Sequence, residues 1–166
     1  MISLVPALVN RITEEILNNA KFNAGKKIHE FGACNNCHFY GEVKPIQGAQ
    51  TWAPNLVLTK ERLRPEWVVE WMRNPHKIMP GTKMPAPYLP TSDLLQVEGA
   101  VNIWGPELIE INGDVDIMLE GLRDYIYNIQ GKSDITNIVK DYFKTNGYDF
   151  DSEDGGEDED EWDDEW

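Results

Sequence analysis

Cys34-Asn35-Asn36-Cys37-His38 is the stretch on which the reading of the whole chain turns. Two thiols three positions apart on one helical turn can reach the two vinyl groups of a single haem. The next residue then projects its imidazole at the iron. Two other chemistries share part of this spacing. A thioredoxin-like redox pair belongs to a βαβ unit, and no strand pattern precedes Cys34. A zinc site needs further Cys or His ligands at matched spacing, and only His29 and His76 remain. The pattern is therefore read as covalent attachment of one haem c through Cys34 and Cys37, with His38 as an iron ligand.

The segments on either side read as helices joined by proline-rich chain. Upstream, Val9, Ile12, Ile16, Ala20, Ala24, Ile28 and Phe31 recur at helical spacing, which predicts a helix over 9–31. Gly25 inside it marks a break or a close packing contact. Downstream, 39–60 reads as loop. A helix over 64–73 has Pro65 in its first turn and Trp67 and Trp71 on one face, and it ends at Asn74-Pro75. Five prolines between 75 and 90 make that stretch a stiff loop rather than a helix. A short helix is expected near 92–101, then irregular chain through Gly105 and Pro106. A strong amphipathic helix follows over 114–130, carrying Met118, Leu122, Tyr125 and Ile129, with Gly131 as its stop. Ser133 is positioned to cap a last helix through Tyr142 or Phe143, ended by Asn146-Gly147.

A haem iron held by one His has a sixth position to fill or leave open. Met79, Met84, His29, His76 and water are the candidates. Met84 stands in Pro80-Gly81-Thr82-Lys83-Met84-Pro85, where proline can hold a thioether at fixed distance, and a weak ligand needs such preorganisation. At this point the chain resembles a class I cytochrome c. Three segments carry the resemblance in order. Gly25-Lys26-Lys27-Ile28 followed by residues 34–38 is similar to the family's first helix and haem-binding turn. Residues 74–84, Asn-Pro-His-Lys-Ile-Met-Pro-Gly-Thr-Lys-Met, are similar to its Met-ligand loop. Leu122-Arg123-Asp124-Tyr125-Ile126 resembles its last helix, which crosses the first.

The resemblance covers about residues 22–131 and implies an all-α fold, the class I cytochrome c fold, with helical extensions. It implies Met84 rather than Met79 as sixth ligand. Ala53-Pro54-Asn55-Leu56 resembles the segment passing the proximal side of the haem, where the Pro54 carbonyl accepts a hydrogen bond from His38. Trp67 and Trp71 would wall the haem pocket, and Tyr125 would pack between the terminal helices. The family often has an aromatic where His29 falls. An extra residue before Cys34 offers Phe31 in its place, leaving His29 on the surface. Residues 1–21, the long stretch 86–113, and residues 132–148 and 149–166 exceed a minimal member and suggest docking surfaces.

Composition agrees with a single haem domain bearing a tail. Of the 29 acidic residues in 166, twelve lie in 149–166, leaving seventeen against fifteen Lys and Arg; the net charge of -14 belongs to the tail. No cationic cluster suits nucleic acid, and no apolar run spans a membrane. Met1 to Val9 is apolar but short, without a basic leader, and does not read as a signal peptide. The function expected is one-electron transfer between redox proteins, from within a larger assembly and in the periplasm or another extracytoplasmic space. The alternative is a haem enzyme or small-ligand sensor with an open axial site. The acidic run reads either as a solvated tail that maintains solubility or, through Trp162 and Trp166 among its carboxylates, as an anchor on a basic partner surface.

Overall fold

A computed structural model of the chain describes residues 19–148. The expected start of the first helix at 9–18 and the acidic tail with its two tryptophans lie outside the described residues. The chain divides into two compact units, Met1–Ser133 and Asp134–Trp166. Among the described residues the fold is all-α, with two isolated β-bridges and no strand.

In the first unit the earliest described helix, α1, covers 19–31. A 3-10 turn, Cys34–Asn36, follows at once. Two more 3-10 turns, Ala49–Thr51 and Leu56–Leu58, lead into α2 (Thr59–Arg62) and α3 (Pro65–Arg73). Then come α4 (Pro75–Ile78), α5 (Ser92–Leu95), α6 (Ala100–Trp104), α7 (Pro106–Glu110) and α8 (Val115–Tyr127). Ala24 and Ile28 of α1, Met72 of α3, Leu108 of α7 and Met118, Leu119 and Leu122 of α8 form one core, each at most 2% exposed.

Helices α1 and α8 cross in backbone contact. A Cβ on Gly25 would overlap the Gly121 carbonyl and the Leu122 amide, and one on Gly121 would overlap the Lys21 carbonyl. Gly25 therefore marks the close contact and leaves the helix unbroken. Lys21 closes the seam's edge with Asp124 at 3.1 Å and Glu120 at 3.4 Å. Phe22 packs on Tyr125, centroid to centroid 5.8 Å, so Tyr125 sits between the two helices.

Several expectations are corrected. The stretch 39–60 is not plain loop, since it contains the two turns and the start of α2. Asn74-Pro75 ends α3 but also begins α4: the Asn74 side chain caps the Lys77 N–H and Pro75 supplies a first turn that needs no donor. Pro106 does the same for α7, where irregular chain was expected. Helix α8 stops at Tyr127, four residues before Gly131. Gly131 is glycine for another reason, because its Cβ position lies 3.1 Å from the Gly41 Cα, where two backbones meet.

Phe31 does not take the aromatic place in the crossing. It is exposed and pairs with Trp104 at 5.1 Å, and Tyr88 also stacks on Trp104, at 5.8 Å. The stretch 86–113 is thereby tied to the end of α1, and it also contributes Leu95, Leu108 and Ile111 to the core.

In the second unit the described part is α9 (Thr136–Thr145) with its flanks. Its first turn is entered from Ile135 without a side-chain cap, not from Ser133 as expected, and the Asp134 carboxylate accepts from the Thr136 N–H at its first residue. Ile135, Val139 and Phe143 share one face of it, and Asn146 and Gly147 end it as expected.

Candidate haem-binding site

The Cys34–His38 turn is built from its own backbone. The His38 and Cys37 amides both bond to the Cys34 carbonyl, at 2.9 and 3.2 Å, and Ala33 enters the turn with a left-handed φ of 47°. This tightness brings Cys34, Cys37 and His38 onto one short loop. The turn is clamped from outside by Ile46 N–H to the Asn35 carbonyl and Gln47 N–H to the Asn36 carbonyl, each 3.0 Å. Both cysteines are free and half-buried. Burial raises the Cys34 thiol to about 11; a thioether, which cannot ionise, suits the position better than a thiolate.

His38 is oriented from behind. Its Nδ1 lies 2.7 Å from the Pro54 carbonyl oxygen, which fixes Nδ1 as the donor and leaves Nε2 as a lone-pair ligand. Burial lowers the His38 pKa, and the Pro54 bond opposes that in part. The imidazole is thus neutral near pH 7, the form a metal requires. Pro54 is in turn held by a pair of backbone bonds on either side, Ala53 N–H to the Cys37 carbonyl at 2.8 Å and Leu56 N–H to the Phe39 carbonyl at 2.9 Å.

Asn55 completes this clamp, and sequence reasoning gave it no role. It is buried and uses both ends of its amide. Its Oδ1 accepts from the Gly41 N–H at 3.0 Å and the Val57 N–H at 3.3 Å, and its Nδ2 donates to the Gly41 carbonyl at 3.1 Å and the Ser133 carbonyl at 3.4 Å. The signal available in the sequence was its place directly after Pro54.

Further along the same unit, α3 presents Trp67 and Trp71, one turn apart and stacked at 5.3 Å and 12°. The Trp71 indole N–H points at the Met84 sulfur, 2.8 Å away. The Met84 amide bonds to Thr82 Oγ1 at 3.3 Å, so this residue is held at both its backbone and its sulfur. Lys83 reaches back to the Gln50 carbonyl at 3.5 Å, linking this loop to the segment that clamps the cysteine turn. Met84, Trp67 and Trp71 are only partly buried, although they pack against the core. Met79 differs: it closes α4 and is 57% exposed.

His29 is not a surface residue. It is 8% exposed, faces Tyr125 at 4.8 Å, and shares a short hydrogen bond with Tyr40. It therefore occupies the aromatic seat in the α1–α8 seam. Burial lowers its pKa to about 4 and raises that of Tyr40, so both are neutral. His76 is exposed on α4. Among the described residues no three His, Cys, Asp or Glu side chains gather to hold a metal ion. The donors the chain offers here are one imidazole nitrogen and one thioether sulfur. No protein-family model, no curated protein and no solved structure matches this chain.

Proposed function

We propose that this chain is an electron-transfer protein carrying one haem c, attached through Cys34 and Cys37, with His38 and Met84 as axial ligands. The observation that carries the reading is the Cys-Asn-Asn-Cys-His turn whose histidine is pinned by Nδ1 to the Pro54 carbonyl at 2.7 Å. Such a bond leaves Nε2 unprotonated and aimed by the backbone. Two further observations support it. A nitrogen and a thioether are donors suited to haem iron. The half-buried Trp67, Trp71 and Met84 present apolar surface that the described chain leaves partly uncovered, as the wall of a large flat cofactor would be.

When bound, the haem supplies a one-electron iron couple, and methionine ligation with burial raises its potential. The chain's residues do the rest. Pro54 keeps the imidazole in one tautomer and one orientation. Thr82 holds the Met84 backbone amide and Trp71 holds its sulfur, so that little would rearrange when the charge changes. Trp67 and Trp71 keep water from that side. With His38 and Met84 both engaged, no position at the iron would be left for a substrate, and the chain would act as a carrier. The partners are redox proteins, within a larger assembly in the periplasm or another extracytoplasmic space. The acidic stretch 149–166 meets a basic partner. No helix among the described residues is long and apolar enough to cross a membrane.

The test is to produce the chain with a haem-attachment system. One haem per chain should survive acid-acetone extraction and be lost in Cys34→Ser/Cys37→Ser. The ferric protein should show the far-red charge-transfer band of a methionine-ligated haem, absent in Met84→Ala and kept in Met79→Ala. Rapid carbon monoxide binding to the native ferrous protein would overturn the closed site and favour an open-faced haem enzyme or sensor.

A further inference from the structure

The stretch 86–113 is a closed and anchored loop. Ser92 Oγ donates to the Asn112 carbonyl at 2.7 Å, and a Cβ on Gly113 would collide with the Ser92 amide nitrogen, so the two ends of the stretch meet. From inside, Leu95, Ala100, Leu108 and Ile111 are buried and tie it down. Its outward side chains are therefore displayed on a fixed frame, and they are apolar. Tyr88, Val97, Val101 and Ile103 are each about half exposed. The Phe31–Trp104–Tyr88 ring contacts join them to the end of α1. Helix α6, Ala-Val-Asn-Ile-Trp, has one polar residue in five. A helix apolar on all sides belongs in an interior, yet α6 has Ala100 buried and Val101 and Ile103 in solvent. Single exposed apolar residues are ordinary, but a contiguous group of them marks an interaction surface.

Charge selects the occupant. Residues 86–113 carry Asp93, Glu98, Glu107 and Glu110 and no Lys or Arg. Asp93, Glu98 and Glu110 are exposed. Lys27 reaches the patch at Phe31, 5.4 Å from the ring centroid, and is held by Glu30 at 3.4 Å. A second copy of the chain would set carboxylates against carboxylates, and an anionic lipid surface would be repelled in the same way. A surface rich in Lys and Arg meets neither obstacle. We propose that the outer face of α6, with the Phe31–Trp104–Tyr88 stack beside it, is a docking surface for a basic protein. That protein brings an apolar anchor onto Val101, Ile103 and Tyr88, and Lys or Arg to the carboxylates of the same loop. Interfaces of this kind bury aromatic and aliphatic anchors at the centre and leave the paired charges at the rim. The surface depends neither on the proposed haem ligands nor on the acidic stretch 149–166.

The experiment titrates the full isotope-labelled chain with an amphipathic helical peptide of leucine and lysine, and with its leucine–glutamate counterpart. The lysine peptide should shift the amide signals of Tyr88, Val101, Ile103 and Trp104, and its affinity should fall as salt is raised. Val101→Ser/Ile103→Ser changes two side chains that stand in solvent, so the fold should persist while the lysine peptide binds about tenfold more weakly. Glu98→Gln/Glu110→Gln should flatten the salt dependence. Equal binding of the glutamate peptide, shifts confined to 149–166, or unchanged affinity in the serine variant would each overturn the proposal. A dimer of the wild type that the serine variant dissociates would give this face to a second copy. Binding to phosphatidylglycerol vesicles that the same variant abolishes would give it to a membrane. Either result overturns the basic protein as occupant. Should the serine variant fail to fold, the wild-type shifts decide alone, and their absence from 88–104 overturns the proposal.

Discussion

Gly25→Ala separates a helix crossing in backbone contact from an ordinary helix packing. Alanine is the better helix former by about 1 kcal/mol in a helix interior, so on propensity alone the substitution stabilises. Position 25 is inside α1, and the opposing term is steric. The new methyl would fall on the Gly121 carbonyl and the Leu122 amide, which are backbone atoms of another helix and cannot rotate away. The helices must separate along a seam that includes Ala24, Ile28, Leu119 and Leu122, all nearly or fully buried. Overpacking a closed core costs typically about 1–3 kcal/mol, and backbone-on-backbone overlap lies at the upper end. The net expectation is destabilisation by about 1–2 kcal/mol. Gly121→Ala should behave alike, since its methyl meets the Lys21 carbonyl in the same seam. The double variant should cost less than the two together, because helices already parted make room for the second methyl. Urea unfolding followed by far-ultraviolet circular dichroism reads this as a lower midpoint at unchanged slope. Stabilisation of Gly25→Ala by about 1 kcal/mol would show propensity winning and refute the contact.

Two more outcomes are expected. The folded-state pKa of His29 lies near 4, depressed mainly by burial, against 6.5 for the free side chain. Between those values the unfolded chain binds a proton that the folded chain does not, so stability falls as pH drops below 6.5 and levels off below 4. At pH 4.5 this contribution is about 2–3 kcal/mol. His29→Phe should remove it, seen as a shallower loss of urea midpoint between pH 7.5 and 4.5, and equal losses in both proteins would contradict the burial argument. Asn55→Ala should destabilise by about 2–4 kcal/mol, because it strands the buried amide and carbonyl of Gly41. It should also loosen the Pro54 carbonyl behind His38, so that in the proposed haem-loaded protein the imidazole would leave the iron at a higher pH on acid titration, read from the haem absorption. A variant that unfolds at the wild-type midpoint would refute Asn55 as the clamp.

The helices α1, α3, α8 and α9 were legible because their apolar residues repeat at helical spacing over two turns or more. The short ones were not. Helices α4 and α7 each span about one turn and begin on Pro75 and Pro106, residues that read as breakers until the preceding residue is seen to enter the turn. Gly131 was misread for a related reason: a helix stop and a close approach of two backbones both demand glycine, and the sequence does not say which. His29 was placed outside because Phe31 was offered for the aromatic position in its stead. Its neutrality comes from burial, and the Tyr40 and Tyr125 rings it packs on lie eleven and ninety-six positions along the chain, where no local pattern connects them to it.

For the candidate site the division is similar. The spacing of Cys34, Cys37 and His38 is a local property, fixed by one turn of chain, and it was fully present in the amino-acid order. The bond from His38 to Pro54 was expected only through a family resemblance, while the contact of Trp71 with Met84 and the four bonds of Asn55 were not anticipated at all. Sequence by itself determined which donors this protein offers and which helices carry them, because both depend on residues within a turn or two of each other. Only the tertiary structure decided how those donors are aimed. Aim is set by contacts between segments 13 to 16 residues apart and more, whose meeting depends on the core closing around Gly25 and Gly121.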